Sequence, residues 1–152
     1  MTNEVYRNYI NGEWVEGYDE IVNVNPSDTS DIVGRYAKAN SDDCLAAIQA
    51  ANVAFETWSQ SALEQRKASL DMIGAELIAR SGEIGEILAR EEGKTLAEGV
   101  GEVARSGQFF QYYGAEVLRL MGENTASVRP GVHVEVDREP LGVVGIVTPW
   151  NF

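Results

Sequence analysis

Gly142-Val143-Val144-Gly145-Ile146-Val147-Thr148-Pro149-Trp150-Asn151-Phe152 is the stretch on which the reading of the fold turns. Its apolar half is short, rich in valine and isoleucine, and bounded by glycine and proline. That is the composition of a strand covered on both faces in a parallel sheet. Its polar half is a constrained turn. Open α/β sheets bind ligands just beyond the carboxyl ends of their strands. Pro149, Trp150 and Asn151 therefore stand where such a sheet would place its site. No crossover helix or further strand follows Phe152, so the reading expects the front piece of a larger α/β protein.

Upstream, Val132, Val134 and Val136 alternate with His133, Glu135 and Asp137, which predicts a half-exposed strand with one apolar face. Residues 122–131 read as a loop, and the texture of the chain changes near residue 122. Helical spacing dominates residues 41–121. Ser41 is the expected N-cap of a first helix, with Asp42 and Asp43 in its opening turn. Ser61 with Glu64 reads as a capping box for a second, Ser81 opens a third that ends at Gly93, and Thr95 with Glu98 caps a fourth. Gly99, Gly101, Gly107 and Gly114 leave the length of that fourth helix open. Residues 5–36 read as short strands: Asn11-Gly12 is a hairpin turn, Asn25-Pro26-Ser27-Asp28 is a second turn, and Ile32–Tyr36 is a strand.

The chain has 152 residues, 44% of them apolar, enough for one domain with a packed core. Twelve basic against 24 acidic residues give a net charge of −12, which disfavours nucleic acid and anionic membrane surfaces as partners. The simplest consequence of that charge is solubility. A single cysteine, Cys44, excludes an intrachain disulfide. The polar start Met1-Thr2-Asn3-Glu4 is no signal peptide, and no apolar run reaches the roughly 18 residues of a spanning helix, so a cytoplasmic protein is expected.

Other residues carry only formal chemical signals. Gly99-Val100-Gly101-Glu102-Val103-Ala104 matches a dinucleotide fingerprint formally, but it lies inside a helical pattern with no strand before it. Gly93-Lys94-Thr95 resembles the end of a phosphate loop, yet Leu88 stands where that loop needs glycine. Cys44 sits in the first turn of a helix, with no histidine near it in sequence, and reads as inert. One Cys and one His, His133, supply no metal-ligand set. On spacing alone Asn151 reads first as a turn residue and only second as a donor to a ligand, and Trp150 equally as core or as a flat wall.

The segment Arg138-Glu139-Pro140-Leu141-Gly142-Val143-Val144-Gly145, followed by Thr148-Pro149-Trp150-Asn151-Phe152, resembles the aldehyde dehydrogenase superfamily. Tyr9-Ile10-Asn11-Gly12-Glu13-Trp14 is similar to the family's first hairpin, Asn25-Pro26 with Ile32-Val33-Gly34 to its next strand pair, Ala50–Phe55 with Trp58 to the helix that follows, and Glu92-Gly93-Lys94-Thr95 to the junction before its long helix. The resemblance covers essentially the whole chain. It implies an α/β fold: the N-terminal part of a Rossmann-like dinucleotide-binding domain, preceded by short strands and a helical segment. Residues 1–121 would belong to that domain, 122–140 to a β extension used for oligomer contacts, and 141–152 to the domain's first core strand.

The implied reaction is oxidation of an aldehyde to a carboxylate with NAD or NADP. Asn151 would occupy the oxyanion-hole position, and Val147, Thr148, Pro149 and Trp150 would line the nicotinamide half of the cofactor. Thr148 departs from the aliphatic residue common at its position. The family's cysteine nucleophile, glutamate base and pyrophosphate turn have no counterpart at a matching position in this chain, so the chain alone is expected to be inactive. Asn25-Pro26-Ser27-Asp28 with Asp31-Ile32-Val33-Gly34 is most similar to members acting on α-ketoglutaric semialdehyde, with broad-range and succinic semialdehyde members close behind. A small aldehyde substrate and a homodimer or homotetramer follow from the same resemblance. The alternatives are a non-catalytic acidic interaction module and a truncated chain without function.

Overall fold

The computed structural model describes residues 4–148. Seven short strands and four helices run in the order β1 (Val5–Tyr6), β2 (Asn8–Ile10), β3 (Glu13–Val15), β4 (Asp19–Val24), β5 (Ile32–Lys38), α1 (Ser41–Trp58), α2 (Leu63–Ala79), α3 (Ser81–Glu92), α4 (Leu96–Val117), β6 (Glu123–Ala126) and β7 (His133–Val136).

The N-terminal strands form because turn chemistry holds them in register. Asn11 and Gly12 both take positive φ, 52° and 83°, as a two-residue hairpin turn of the primed kind requires. That turn sets Tyr9 opposite Trp14, with ring centroids 4.8 Å apart. In the second sheet β5 lies between β1, parallel to it, and β4, antiparallel to it. The connection from β4 to β5 is the expected turn at Asn25: its side-chain oxygen accepts from the Ser27 N–H at 2.9 Å, and its own N–H donates to the Asp31 carbonyl at 2.9 Å.

Helix starts differ in detail from the sequence reading. The side chain that caps α1 is Asn40, not Ser41: its oxygen accepts from the N–H groups of Asp42 and Asp43, and Asp43 answers by accepting from the Asn40 N–H. Both residues are cap formers, and Asn40 prevails because a carboxylate stands three positions on, completing the reciprocal box. Ser61 does not cap α2. The hydroxyl donates to the Trp58 carbonyl at 2.6 Å and accepts from Arg66 Nε at 3.0 Å, and Ala62 takes the cap position without a side-chain bond. Thr95 and Glu98 do form the box at α4, and Gly93 closes α3 in the left-handed region at φ 72°.

Helix α4 is continuous, and three of its four glycines are seams rather than weak points. Gly99, Gly107 and Gly114 are buried where α4 crosses α2 and α3. A Cβ added at Gly107 would lie 2.7 Å from the Gly74 carbonyl oxygen, and one added at Gly74 would lie 2.7 Å from the Gly107 carbonyl oxygen. The two backbones touch there. Val103 and Ala89 are the buried apolar side chains of this helical body. Helix α1 stands apart from it and meets chiefly β2.

Residues 122–131 contain a strand that the sequence reading took as loop. β6 pairs antiparallel with β7, setting Thr125 opposite Val134. Its residues, Glu-Asn-Thr-Ala, carry no apolar alternation, so only the partner strand makes it one.

Candidate functional site

Two polar clusters tie the strands to the helices. Arg90 on α3 makes a two-pronged contact with Asp31, the residue before β5: Nε donates to Oδ2 at 2.9 Å and Nη2 to Oδ1 at 2.6 Å. Asn25 adds a third bond to Asp31 at 3.1 Å. The Arg90 contact, then the Asn25 bond, hold the Asp31 carboxyl down at about 2, well below the usual carboxylate range. Beside Arg90, Glu91 accepts from the Asn23 side-chain amide of β4 at 2.8 Å.

The second cluster sits at the junction of α3 and α4. The Lys94 ammonium bridges Glu92 and Glu102, the latter at 2.5 Å, and its side chain is only 14% exposed. Hydrogen bonds from Lys94 to Glu102 and then to Glu92 raise its pKa above the ordinary lysine value. Sequence reasoning did not pair these groups. Asp31 and Arg90 are far apart in the chain, and neither carries a local signal; a lysine just past a helix-ending glycine, with acids on both sides, was the only hint at Lys94. The role of both clusters is positional: they fix α3 against β4–β5 and set the turn into α4.

The expected core strand at residues 142–148 is not formed. Gly142 takes φ 96°, and the residues after it have no regular structure. Val147 is 95% exposed, and Leu141, Val144, Ile146 and Thr148 are exposed too. The physical reason is the absence of a neighbour. No described strand runs beside this segment, so its N–H and C=O groups have no ladder to join and its apolar side chains have no face to cover. Val147 and Thr148 are thus adjacent and open; Pro149, Trp150 and Asn151 lie outside the described residues.

The signals set aside in the sequence fall where that reading put them. Gly99–Ala104 lies within α4, Cys44 is exposed in the first turn of α1, and His133 is exposed on β7. Among the described residues no three His, Cys, Asp or Glu side chains converge as a metal site. An open groove of about 950 Å³ between β1, β3 and the start of β4 is lined by no residue of the 141–148 segment. No described helix is long and apolar enough to cross a membrane.

Comparison with known proteins shows what this arrangement is part of. Residues 14–152 match the family model described as "Aldehyde dehydrogenase family", and the chain belongs to that family. It is 38% identical to an α-ketoglutaric semialdehyde dehydrogenase of Bacillus subtilis, over 97% of this chain and 30% of that protein. It is 35% identical to an α-ketoglutarate semialdehyde dehydrogenase of Haloferax volcanii, over 96% of this chain and 31% of the other. A 1-pyrroline-5-carboxylate dehydrogenase of B. subtilis is 36% identical over 94% of this chain and 28% of its own length. Among solved structures, a betaine aldehyde dehydrogenase of Staphylococcus aureus in complex with NAD+ superposes with a TM-score of 0.89 at 29% identity, over 96% of this chain and 30% of that one. The fold is therefore the N-terminal part of the aldehyde dehydrogenase fold, and the chain spans about three-tenths of the length of the relatives it matches.

Proposed function

We propose that residues 1–152 are the N-terminal part of an NAD- or NADP-dependent aldehyde dehydrogenase that oxidises a semialdehyde, α-ketoglutaric semialdehyde being the favoured substrate. The observation that carries this reading is the family match running through residue 152, and so through Thr148-Pro149-Trp150-Asn151-Phe152. Two relatives named for α-ketoglutaric semialdehyde support the substrate. Residues 1–121 and 141–152 are assigned to the dinucleotide-binding domain and 122–140 to an extension that pairs subunits in a homodimer or homotetramer. The cytoplasm is the proposed compartment.

In this reading Asn151 does the electrostatic work. An aldehyde attacked by a thiolate becomes a tetrahedral adduct bearing a negative oxygen, and a fixed amide N–H₂ aimed at that oxygen lowers the barrier without adding a titratable charge. Val147, Thr148, Pro149 and Trp150 form a wall for the nicotinamide half of the cofactor. The exposure of Val147 and Thr148 suits that role, since no described contact competes for their surface. When bound, the cofactor accepts the hydride. The nucleophile and base are not among these residues, so the chain alone has no dehydrogenase activity.

The test is Asn151→Ala in an enzyme that joins this chain to a complete catalytic domain. Removing one oxyanion donor should lower kcat by about 10²–10³-fold with cofactor affinity nearly unchanged. Asn151→Asp should be worse, because a carboxylate repels the forming oxyanion. Hydride transfer at the wild-type rate in the Ala variant would reduce Asn151 to a turn residue.

A further inference from the structure

The first hairpin sets a side-chain amide beside an open backbone nitrogen. Asn11 is the one residue other than glycine with positive φ among the described residues, and Gly12 follows it. The β2–β3 ladder ends at the Ile10–Glu13 pair, so the Gly12 N–H stands outside it. A Cβ placed on Gly12 would meet only the Tyr9 hydroxyl, at 4.0 Å. Both turn residues are exposed, and Asn11 borders an open cavity of about 330 Å³ shared with Ala46, Gln49 and Ala50 of α1, so water reaches the amide. β2 and β3 form a sheet of their own, with three residues in each strand. A lone hairpin of that size is marginally stable, so its turn opens locally while the helical body stays folded.

We propose that Asn11–Gly12 is a modification site at which the folded chain loses ammonia and its backbone is rerouted, with water as the only co-reactant. The Gly12 nitrogen gives its proton to solvent and bonds to Asn11 Cγ. The Cγ–Nδ2 bond breaks, and Nδ2 takes up a proton and leaves as ammonia. The cyclic imide then adds one water. Opening at Cγ leaves aspartate; opening at the main-chain carbonyl carbon leaves isoaspartate, with the chain running through the side chain. Nothing is oxidised or reduced. Glycine suits the attacking position because it has no Cβ to crowd the ring closure. The other described asparagines lack this pairing. Pro26, after Asn25, has no N–H to lose. Asn8, Asn23, Asn52 and Asn124 precede aromatic or β-branched residues. Asn40 precedes the small Ser41, but its amide oxygen is held by the N–H groups of Asp42 and Asp43. The two products differ in consequence. Aspartate accepts positive φ as asparagine does and keeps the turn. Isoaspartate inserts one more backbone atom into a two-residue turn, and the Tyr9–Trp14 pair loses its register.

The experiment incubates the 152-residue chain in neutral buffer, with and without denaturing urea. Conversion at Asn11 and Asn40 is followed by peptide mass, and isoaspartate by enzymatic methylation. The ratio of Asn11 to Asn40 conversion should be about fivefold or more larger in buffer than in urea, the protection conferred by one cap. A ratio equal or smaller in buffer would overturn the inference, because folding would then shield the turn as well as it shields the cap. Asn11→Gly keeps two residues that accept positive φ and removes the amide, so the isoaspartate signal of the folded chain should vanish. Its persistence would place the site elsewhere. The purified isoaspartate form should exchange its amides across residues 8–15 faster than Asn11→Asp does. Equal exchange would refute the loss of register.

Discussion

The same substitution, glycine to alanine, should have opposite signs at two positions of one helix. Gly101 and Gly107 both lie in the interior of α4. Replacing an interior glycine by alanine stabilises a helix by about 0.8–1 kcal/mol, because the unfolded chain loses freedom and the folded one does not. At Gly101 a Cβ meets nothing within 4 Å, so that gain should appear undiminished. At Gly107 the added carbon would lie 2.7 Å from the Gly74 carbonyl oxygen and 2.7 Å from Ile78 Cγ1. The first of these is backbone and cannot turn aside, so the two helices must separate. Overpacking of this kind costs about 1–3 kcal/mol, and a backbone-to-backbone clash belongs at the upper end. The net expectation is about +1 kcal/mol of stability for Gly101→Ala and a loss of about 2 kcal/mol for Gly107→Ala, a spread of about 3 kcal/mol. Urea unfolding followed by circular dichroism at 222 nm measures it, with the requirement that the slope against denaturant stay constant across the three proteins. Gly107→Ala as stable as Gly101→Ala would refute the seam and with it the assigned crossing of α2 and α4.

Three further outcomes are expected. Asn40→Ala should cost about 1 kcal/mol, whereas Ser41→Ala should stay within about 0.5 kcal/mol; equal losses in denaturant melts would return the cap to Ser41. Asp31 has a folded pKa depressed to about 2, so its stabilising contribution is fully present above the ordinary aspartate value and is lost as pH falls from about 4 towards 2. Asp31→Asn should therefore flatten the fall in stability across that window, and an unchanged acid profile would show that the Arg90 contact is not held in solution. Gly93→Ala forces a Cβ into a backbone at φ 72° and to 2.8 Å from Pro26 Cγ, and should lower the thermal midpoint by several degrees in a differential scanning measurement.

Local chemistry was the legible part of the fold. Asn11-Gly12 names its turn because few residue pairs accept two positive φ angles in succession, and Thr95 with Glu98 names its helix start because the two side chains answer each other across one turn. Where two residues of equal aptitude stood side by side, as Asn40 and Ser41 do, the choice depended on which had a carboxylate three positions on. β6 was illegible because its strand character comes from β7 and not from its own residues. The segment 142–148 failed in the opposite way: its sequence is written for a sheet, and the described fold holds no strand to receive it. Of the candidate site, the proposed roles of Asn151 and Trp150 rest on a motif, since spacing alone favoured a turn role for the first and left the second divided between core and wall; both lie outside the described residues. The Asp31–Arg90 and Lys94 clusters have no motif, and only the folded chain brings them together.

The helical body has a consequence for the order of events as the chain forms. Helices α2, α3 and α4 occupy one unbroken stretch, Leu63–Val117, joined by turns of a few residues, and α4 packs on both of the others. Closing such short loops takes little entropy, so this trio can assemble while synthesis is still under way and before anything beyond it exists. β1 joins β5, more than 20 residues further along, in a parallel pair of only two residues. Amide exchange should be slowest along the glycine seam between α2 and α4, where Gly74, Gly107 and Gly114 are buried, and fastest in β1–β3, which hold no buried residue.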